Sequence, residues 1–300
     1  MNQQTLKKEY IFEGKGLHTG KQARVLLRPA PAGTGIVFRR TDLGGVEIPA
    51  VAGNVASTRR STLLKNCKAK VGTVEHLMSA LYGLGVDNAY VDVDSSEMPI
   101  LDGSAAPYVK AIAVDGTLGQ DAPRAWVEIS HEIIVRNSRT GSWIKITPAD
   151  EPSFEITIDF NSKVIGVQNT RFDASVDYAT QIAPCRTFCF LHEVFPLLLL
   201  GLARGGDVSN AIVVVEKPVS KWQARFMAKV LGHTLESVPD SGYICNPDLR
   251  FSDECARHKL LDLIGDLHLC GGMLKAKVEA YKPGHALNTA AAREIMNKLK

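Results

Sequence analysis

The sequence carries almost no charge imbalance: Lys and Arg number 35 against 32 for Asp and Glu, a net charge of +3. That excess is too small to hold a phosphate backbone by counterion release, so the composition predicts no nucleic-acid partner. A long apolar run is also missing. The longest, Phe195 to Ala203, is about half of a membrane span. The first residues are polar and charged, without the apolar centre of a secretion signal. These absences predict a cytoplasmic chain with no transmembrane segment. Paired cysteines are lacking as well. Cys67, Cys185, Cys189, Cys245, Cys255 and Cys270 are scattered with no C-x-x-C spacing, which argues against a zinc ribbon or a redox dithiol. Reduced thiols are expected, because a chain of this size can hold itself with its core. Any metal must find other ligands. What remains, 45% apolar and 22% charged residues over 300 positions, suits an ordinary globular protein with two domains of roughly 130–170 residues.

The N-terminal half reads as short strands at Tyr10–Phe12, Ala23–Leu27 and Gly35–Phe38, separated by Gly and Pro turns. A helix is predicted from about Thr73, its N-cap, to Leu84. An alternating strand over Ala89–Val93 and a second helix from about Ala105 to Val114 follow. Near Gly116–Arg124 the sequence turns polar and loses periodicity, which places a domain boundary there: 1–120, then 125–300. The second half repeats the plan. Strands are expected at Trp126–Ile129, Ile133–Val135, Trp143–Ile146 and Phe154–Phe160. A helix (about Arg257–Leu269), a strand (Ala276–Ala280) and a last helix (about Leu287–Leu299) follow. Runs of strands with helices gathered at the ends predict an α+β class, not a Rossmann alternation.

A shift of 182 residues lays His76 over His258, Leu81 over Leu263 and Gly83 over Gly265. In both halves the helix precedes an alternating strand and another helix, so the chain reads as two copies of one α+β unit. On the second helix His258, Asp262 and Asp266 are spaced by four and share one face. From that spacing alone, the row fits either a solvent-exposed His–Asp pair or two ligands of one metal ion. If the units face each other, His76 and His258 meet in a cleft and Asp262 supplies a third ligand. Two imidazoles and a carboxylate would leave a fourth zinc position open, the pattern of a catalytic site. Glu75, beside His76, could serve as general base. His285, at a strand–helix turn, is a candidate general acid, with Asp266 placed to hold it charged.

These segments closely resemble the UDP-3-O-acyl-N-acetylglucosamine deacetylases, the zinc amidases of the committed step of lipid A synthesis. The resemblance is carried by Thr73-Val74-Glu75-His76-Leu77, by the stretch Arg257 to Asp266, and by Gly284-His285-Ala286-Leu287-Asn288. Further matches are Gly16-Leu17-His18-Thr19-Gly20, Val86-Asp87-Asn88, Pro99 to Ala105, Cys185-Arg186-Thr187-Phe188 and Gly205 to Ile212. They run in family order over essentially the whole chain. The resemblance implies two similar α+β domains about a shared interdomain site, with a small insert in each. The inserts would lie at about 57–71 and 191–215, the second forming a passage for an acyl chain. It implies Zn2+, with Fe2+ as the alternative in vivo, on His76, His258 and Asp262. Glu75 would act as base and His285, with Asp266, as acid; Thr187 would stabilise the oxyanion. Lys259, Phe188, Leu17 and Ser61 would contact an acylated UDP-N-acetylglucosamine, and a monomer is expected. One departure stands out. The connection 216–253 is longer than its counterpart in that family.

Overall fold

A computed structural model describes residues 1–199, 205–207, 209–220, 222–226, 242–244 and 248–299. In the first half the strands are β1 (Asn2–Leu6), β2 (Tyr10–Lys15), β3 (Gln22–Pro29), β4 (Ile36–Arg40), β5 (Val46–Pro49), β6 (Val55–Ser57), β7 (Leu63–Asn66) and β8 (Ala69–Gly72). Helix α1 (Glu75–Gly83), strand β9 (Ala89–Val93), helix α2 (Ala106–Ala113) and strand β10 (Thr117–Pro123) complete it. Alternation makes the sheet one-sided: Ala23, Val25 and Leu27 of β3 are buried while Gln22 and Arg24 face out. The strand order is β2-β3-β9-β4-β5, antiparallel except for the parallel β4–β9 pair. A parallel neighbour needs a crossover, and α1 lies in the connection between them.

The second half comprises β11 (Val127–Glu128), β12 (Ile133–Asn137), β13 (Ser142–Pro148), β14 (Ser153–Asp159) and β15 (Val167–Phe172), then α3 (Tyr178–Gln181), β16 (Phe188–Phe190) and α4 (Leu191–Leu199). After these come β17 (Ile212–Val215), β18 (Gly242–Tyr243), α5 (Glu254–His268), β19 (Leu274–Tyr281) and α6 (His285–Lys298). Its sheet runs β12-β13-β19-β14-β15, again antiparallel except for the parallel β14–β19 pair, with β11 added alongside β19. The two sheets therefore share one strand order and one pattern of directions. The protein is an α+β chain of two similar sheet-and-helix units.

Each unit carries a smaller sheet: β6-β7-β8 in the first and β16-β17-β18 in the second. The third strand of the second comes from the long connection, since Tyr243 pairs with Val214. Helices α5 and α6 lie on their sheet and α1 packs on α5, so one continuous apolar core runs from Leu6 to Ile295.

The structure corrects several sequence expectations. The polar stretch 116–124 is not a bare linker: it contains β10, which pairs antiparallel with β1. An isolated two-stranded ribbon needs little apolar patterning, which is why periodicity did not reveal it. Helix α1 starts at Glu75, not Thr73, because Thr73 is held at φ 59°, a left-handed conformation that cannot open a helix. His285 is the first residue of α6, so that helix starts earlier than the apolar pattern indicated. Cys67, Cys185, Cys189, Cys255 and Cys270 are free thiols; Cys245, Leu200 to Arg204, Val208 and most of 227–247 lie outside the described residues. No helix among the described residues is long and apolar enough to cross a membrane.

Candidate metal centre and acid–base pair

Two glycine-free faces could not bring α1 and α5 this close. A Cβ on Gly265 would collide with the Glu75 carbonyl oxygen and lie 3.1 Å from Ser79 N. The bare α-carbon lets the backbones touch, and His76 and His258 meet across the contact with ring centroids 5.1 Å apart. His258 Nε2 lies 3.5 Å and His76 Nε2 3.8 Å from Asp262 Oδ1. One ligand atom from each of the three residues lies within 4.8 Å of the others. All three side chains are buried, Asp262 at 2% exposure. The His258–Asp262 row is therefore not a solvent-exposed helix pair.

The protonation states suit a cation. A carbonyl can only accept, so the 3.0 Å contact from His258 Nδ1 to Cys185 O fixes the proton on Nδ1 and leaves Nε2 as a free lone pair. Burial pushes His76 down to about 3 and lowers His258 too, so both imidazoles are neutral. Burial works against the charge of Asp262. The Lys259 ammonium, with the charged His285 beyond it, outweighs it and holds the carboxyl well below the usual range. Lys259 Nζ donates to Asp262 Oδ2 at 2.8 Å. Asp262 Oδ1, the oxygen facing both histidines, is buried without a hydrogen-bond partner. An anionic oxygen left that way is costly unless a cation meets it.

Glu75 and His285 flank this cluster. His285 Nε2 is 3.9 Å from Glu75 Oε1 and 3.9 Å from Asp262 Oδ2, while Nδ1 bonds Asp266 Oδ2 at 2.9 Å. Burial disfavours the imidazolium, but Asp266, Asp262 and Glu75 overcome it and raise His285 to about 9. Burial is also the main reason that Glu75 is pushed up; His285 pulls the other way. Glu75 Oε2 accepts from Thr62 N at 3.1 Å. Asp266 is fully buried and accepts from Thr62 Oγ1 at 2.5 Å and Asn288 Nδ2 at 3.0 Å. Asn288 lies in the Gly284–Asn288 motif and Thr62 in the expected first insert, but only the fold reveals that Thr62 spans Glu75 and Asp266.

A cavity of about 300 Å³ opens onto these groups. Of the residues singled out from the sequence, Glu75, His76, His258, Lys259, Asp262, His285, Thr187, Phe188, Leu17 and Ser61 line it; Asp266 stands behind His285. Thr187 is held by backbone bonds to Gly103 O and from Ile212 N, both 2.8 Å. Lys259 Nζ lies 5.6 Å from the Phe188 ring centroid. The cavity continues between Phe190, Leu191, Val194, Leu198, Val213 and Ile244, an apolar arm along β16, α4 and β17.

Comparison with known proteins gives this geometry a family. The family model described as LpxC, UDP-3-O-acyl N-acetylglycosamine deacetylase, matches residues 3–235 and 232–297, the two matches meeting inside the long connection. The bifunctional enzyme LpxC/FabZ of Porphyromonas gingivalis is 42% identical over 299 residues, covering 99% of this chain and 65% of that relative. The chain thus spans under two thirds of that bifunctional relative's length. UDP-3-O-acyl-N-acetylglucosamine deacetylase of Myxococcus xanthus is 43% identical over 300 residues, covering 99% of this chain and 87% of the relative. The enzyme of that name from Teredinibacter turnerae is 40% identical over 305 residues, covering 99% and 91%. With the family model matched over nearly the whole chain and these relatives aligned to 99% of it, the chain belongs to the UDP-3-O-acyl N-acetylglycosamine deacetylase (LpxC) family.

Proposed function

We propose that this chain is a metal-dependent amidase that removes the N-acetyl group of UDP-3-O-acyl-N-acetylglucosamine, giving acetate and the free amine in lipid A synthesis. The observation that carries the reading is the partnerless buried oxygen of Asp262, aimed at two neutral histidines beside a base and a charged imidazole. The donors fit a divalent ion: two nitrogens and one oxygen, all in ligating protonation states, with too few groups to close a tetrahedron. His76, His258 and Asp262 would hold it, with zinc as the expected ion and ferrous iron as the alternative. When bound there, such an ion supplies Lewis-acid polarisation of a carbonyl.

The remaining work falls to this chain's own side chains. Glu75, raised by burial and fixed through Thr62 N, takes the proton of the attacking water on its carboxylate. His285 carries its proton on Nε2 while Nδ1 is tied to Asp266, and delivers it to the departing amine nitrogen. The Thr187 hydroxyl donates to the oxyanion as the tetrahedral centre forms. Leu17, Ser61 and Phe188 wall the sugar. Lys259 brings a cation toward the nucleotide while its ammonium is shared with Asp262. The apolar arm would take the acyl chain. The domain division at 1–120 and 125–300, the inserts at 57–71 and 191–215, a monomeric state and a cytoplasmic location belong to the same proposal.

Incubating the purified chain with the acylated UDP-sugar and following product mass before and after chelation tests it. Turnover should vanish with the metal and return on adding zinc or ferrous iron. Undiminished turnover by metal-free protein overturns the mechanism.

A further inference from the structure

Glu97, in the segment between β9 and α2, touches none of the proposed reacting groups, yet it is buried at 3% exposure. Among the described residues no lysine or arginine nitrogen lies within 4 Å of it. Its charge is met instead by polar hydrogens. Oε1 accepts from His18 N at 2.8 Å and Thr73 Oγ1 at 3.2 Å; Oε2 accepts from Thr19 N at 2.8 Å and Thr19 Oγ1 at 2.7 Å. Charge-assisted bonds of this kind are the stronger class, and here they wrap a loop around one carboxylate. The loop closes on itself through Gly16 N to Lys21 O and Gly20 N to Gly16 O, both 2.9 Å. Gly16 makes room for the carboxylate, since a Cβ there would lie 2.5 Å from Glu97 Oε2 and displace it.

The loop's outer side forms part of the cavity. Leu17 and His18 line it, and His18 Nε2 is buried with no hydrogen-bond partner. Leu17 O also receives Gly205 N, at 3.1 Å, from the second half. On its other side Glu97 grips Thr73, whose left-handed backbone leads within two residues to Glu75. Bonds from Gly72 N to Ser96 O and from Met98 N to Gly72 O, both 3.0 Å, bracket Glu97 against that entry.

We propose that Glu97 is a positioning residue for substrate: it ties the Leu17–His18 wall to the segment that enters α1, so that one buried carboxylate fixes where the sugar is held. The inference rests on the deacetylase reading above. Glu97→Gln keeps the size but puts an amide donor where the loop also donates. It should raise KM for the acylated UDP-sugar about tenfold, the worth of one charge-assisted bond, with kcat changed less than about threefold. Metal content should stay full, and Glu97→Asp should recover part of the loss. Hydrogen exchange at the His18 and Thr19 amides should quicken in Glu97→Gln, a readout that needs no substrate. Thr19→Val, which removes one donor and leaves the carboxylate, should give a smaller rise in KM should the Gln variant fail to fold. An unchanged KM in the folded variants, or a fall in melting temperature alone, overturns the proposal. Loop exchange that responds while wild-type protein turns nothing over would instead sink the deacetylase reading.

Discussion

The two halves have one strand order and one helix plan, yet they divide the site's work unequally. Helix α1 has nine residues and supplies Glu75 and His76 from its first turn. Helix α5 has fifteen and supplies His258, Asp262 and Asp266 along more than two turns. The helix after each central strand differs too. In the second half it opens with His285, facing Glu75 and Asp262; in the first it opens with Ala106. The first half's counterpart loop does other work, since Gly103 O receives Thr187 N and a Cβ on Gly103 would collide with Asn210 O. A duplicated fold has not duplicated its chemistry. It has made a seam to which each copy brings different parts.

The strongest test of that division is to remove the proposed metal ligands one half at a time. His76→Ala, in the first half, and His258→Ala or Asp262→Ala, in the second, should each drop bound metal and turnover to background. Metal content by mass spectrometry checks it, and full occupancy in His76→Ala would mean that the second half holds the ion alone. Next in size are the proposed proton carriers. Glu75→Gln and His285→Gln should retain the metal while turnover falls by about 10²–10⁴-fold, the usual scale for acid–base groups. Near-wild-type rates in either would remove that side chain from the reaction.

Much of this comparison was legible in the sequence. Alternation gave the central strands because their sheets have one buried face, as in Phe154, Ile156 and Ile158. The shift of 182 residues exposed the repeat because His76 and His258 face each other and Gly83 and Gly265 hold close contacts, so those positions tolerate few residue types. The parts that stayed hidden depend on partners far away in the chain. Thr62 bonds both Glu75 and, 204 positions along the sequence, Asp266, and nothing in Ser61-Thr62-Leu63 announces such a bond. Glu97 reads as an ordinary polar residue until the loop at 16–20 is folded around it. The β10 ribbon was missed because its order comes from pairing with β1, not from an apolar face.

A smaller effect separates the entries to the two helices. At the foot of α5, Glu254 is fully buried and accepts from Arg186 N, Nε and Nη2 and from Arg250 N at 2.7–3.1 Å. The repeat puts Gly72 at the matching place in the first half, where backbone bonds to Ser96 and Met98 do the joining. Glu254→Ala should cost about 3–5 kcal/mol at neutral pH, since Arg186 is left without its partner. Burial opposes the Glu254 charge, but Arg186 outweighs it and holds the carboxyl below its ordinary value near 4.5. The contribution of that charge is therefore complete above about pH 4.5 and is lost as the pH falls below it. Urea unfolding of both proteins at about pH 7 and about pH 3.5 should show the gap narrowing in acid. A constant gap would assign the cost to packing.

The finest test uses the glycines that the repeat aligns. Gly83 of α1 and Gly265 of α5 are both too crowded for a Cβ, but they crowd different things. At Gly83 the added carbon would meet the ring of Tyr178, whose hydroxyl bonds Ser79 Oγ at 2.7 Å, away from the cavity residues. At Gly265 it would meet the Glu75 backbone itself. Gly83→Ala and Gly265→Ala should each cost about 1–3 kcal/mol of stability as the neighbours give way. Only the second should also move the base. A displacement of about 1 Å at such a group can cost about a hundredfold in rate. The pair should therefore look alike in thermal unfolding and unlike in turnover, with metal content kept in Gly83→Ala. Equal losses of turnover in the two would mean that the helix contact acts on the site as a whole, not through Glu75.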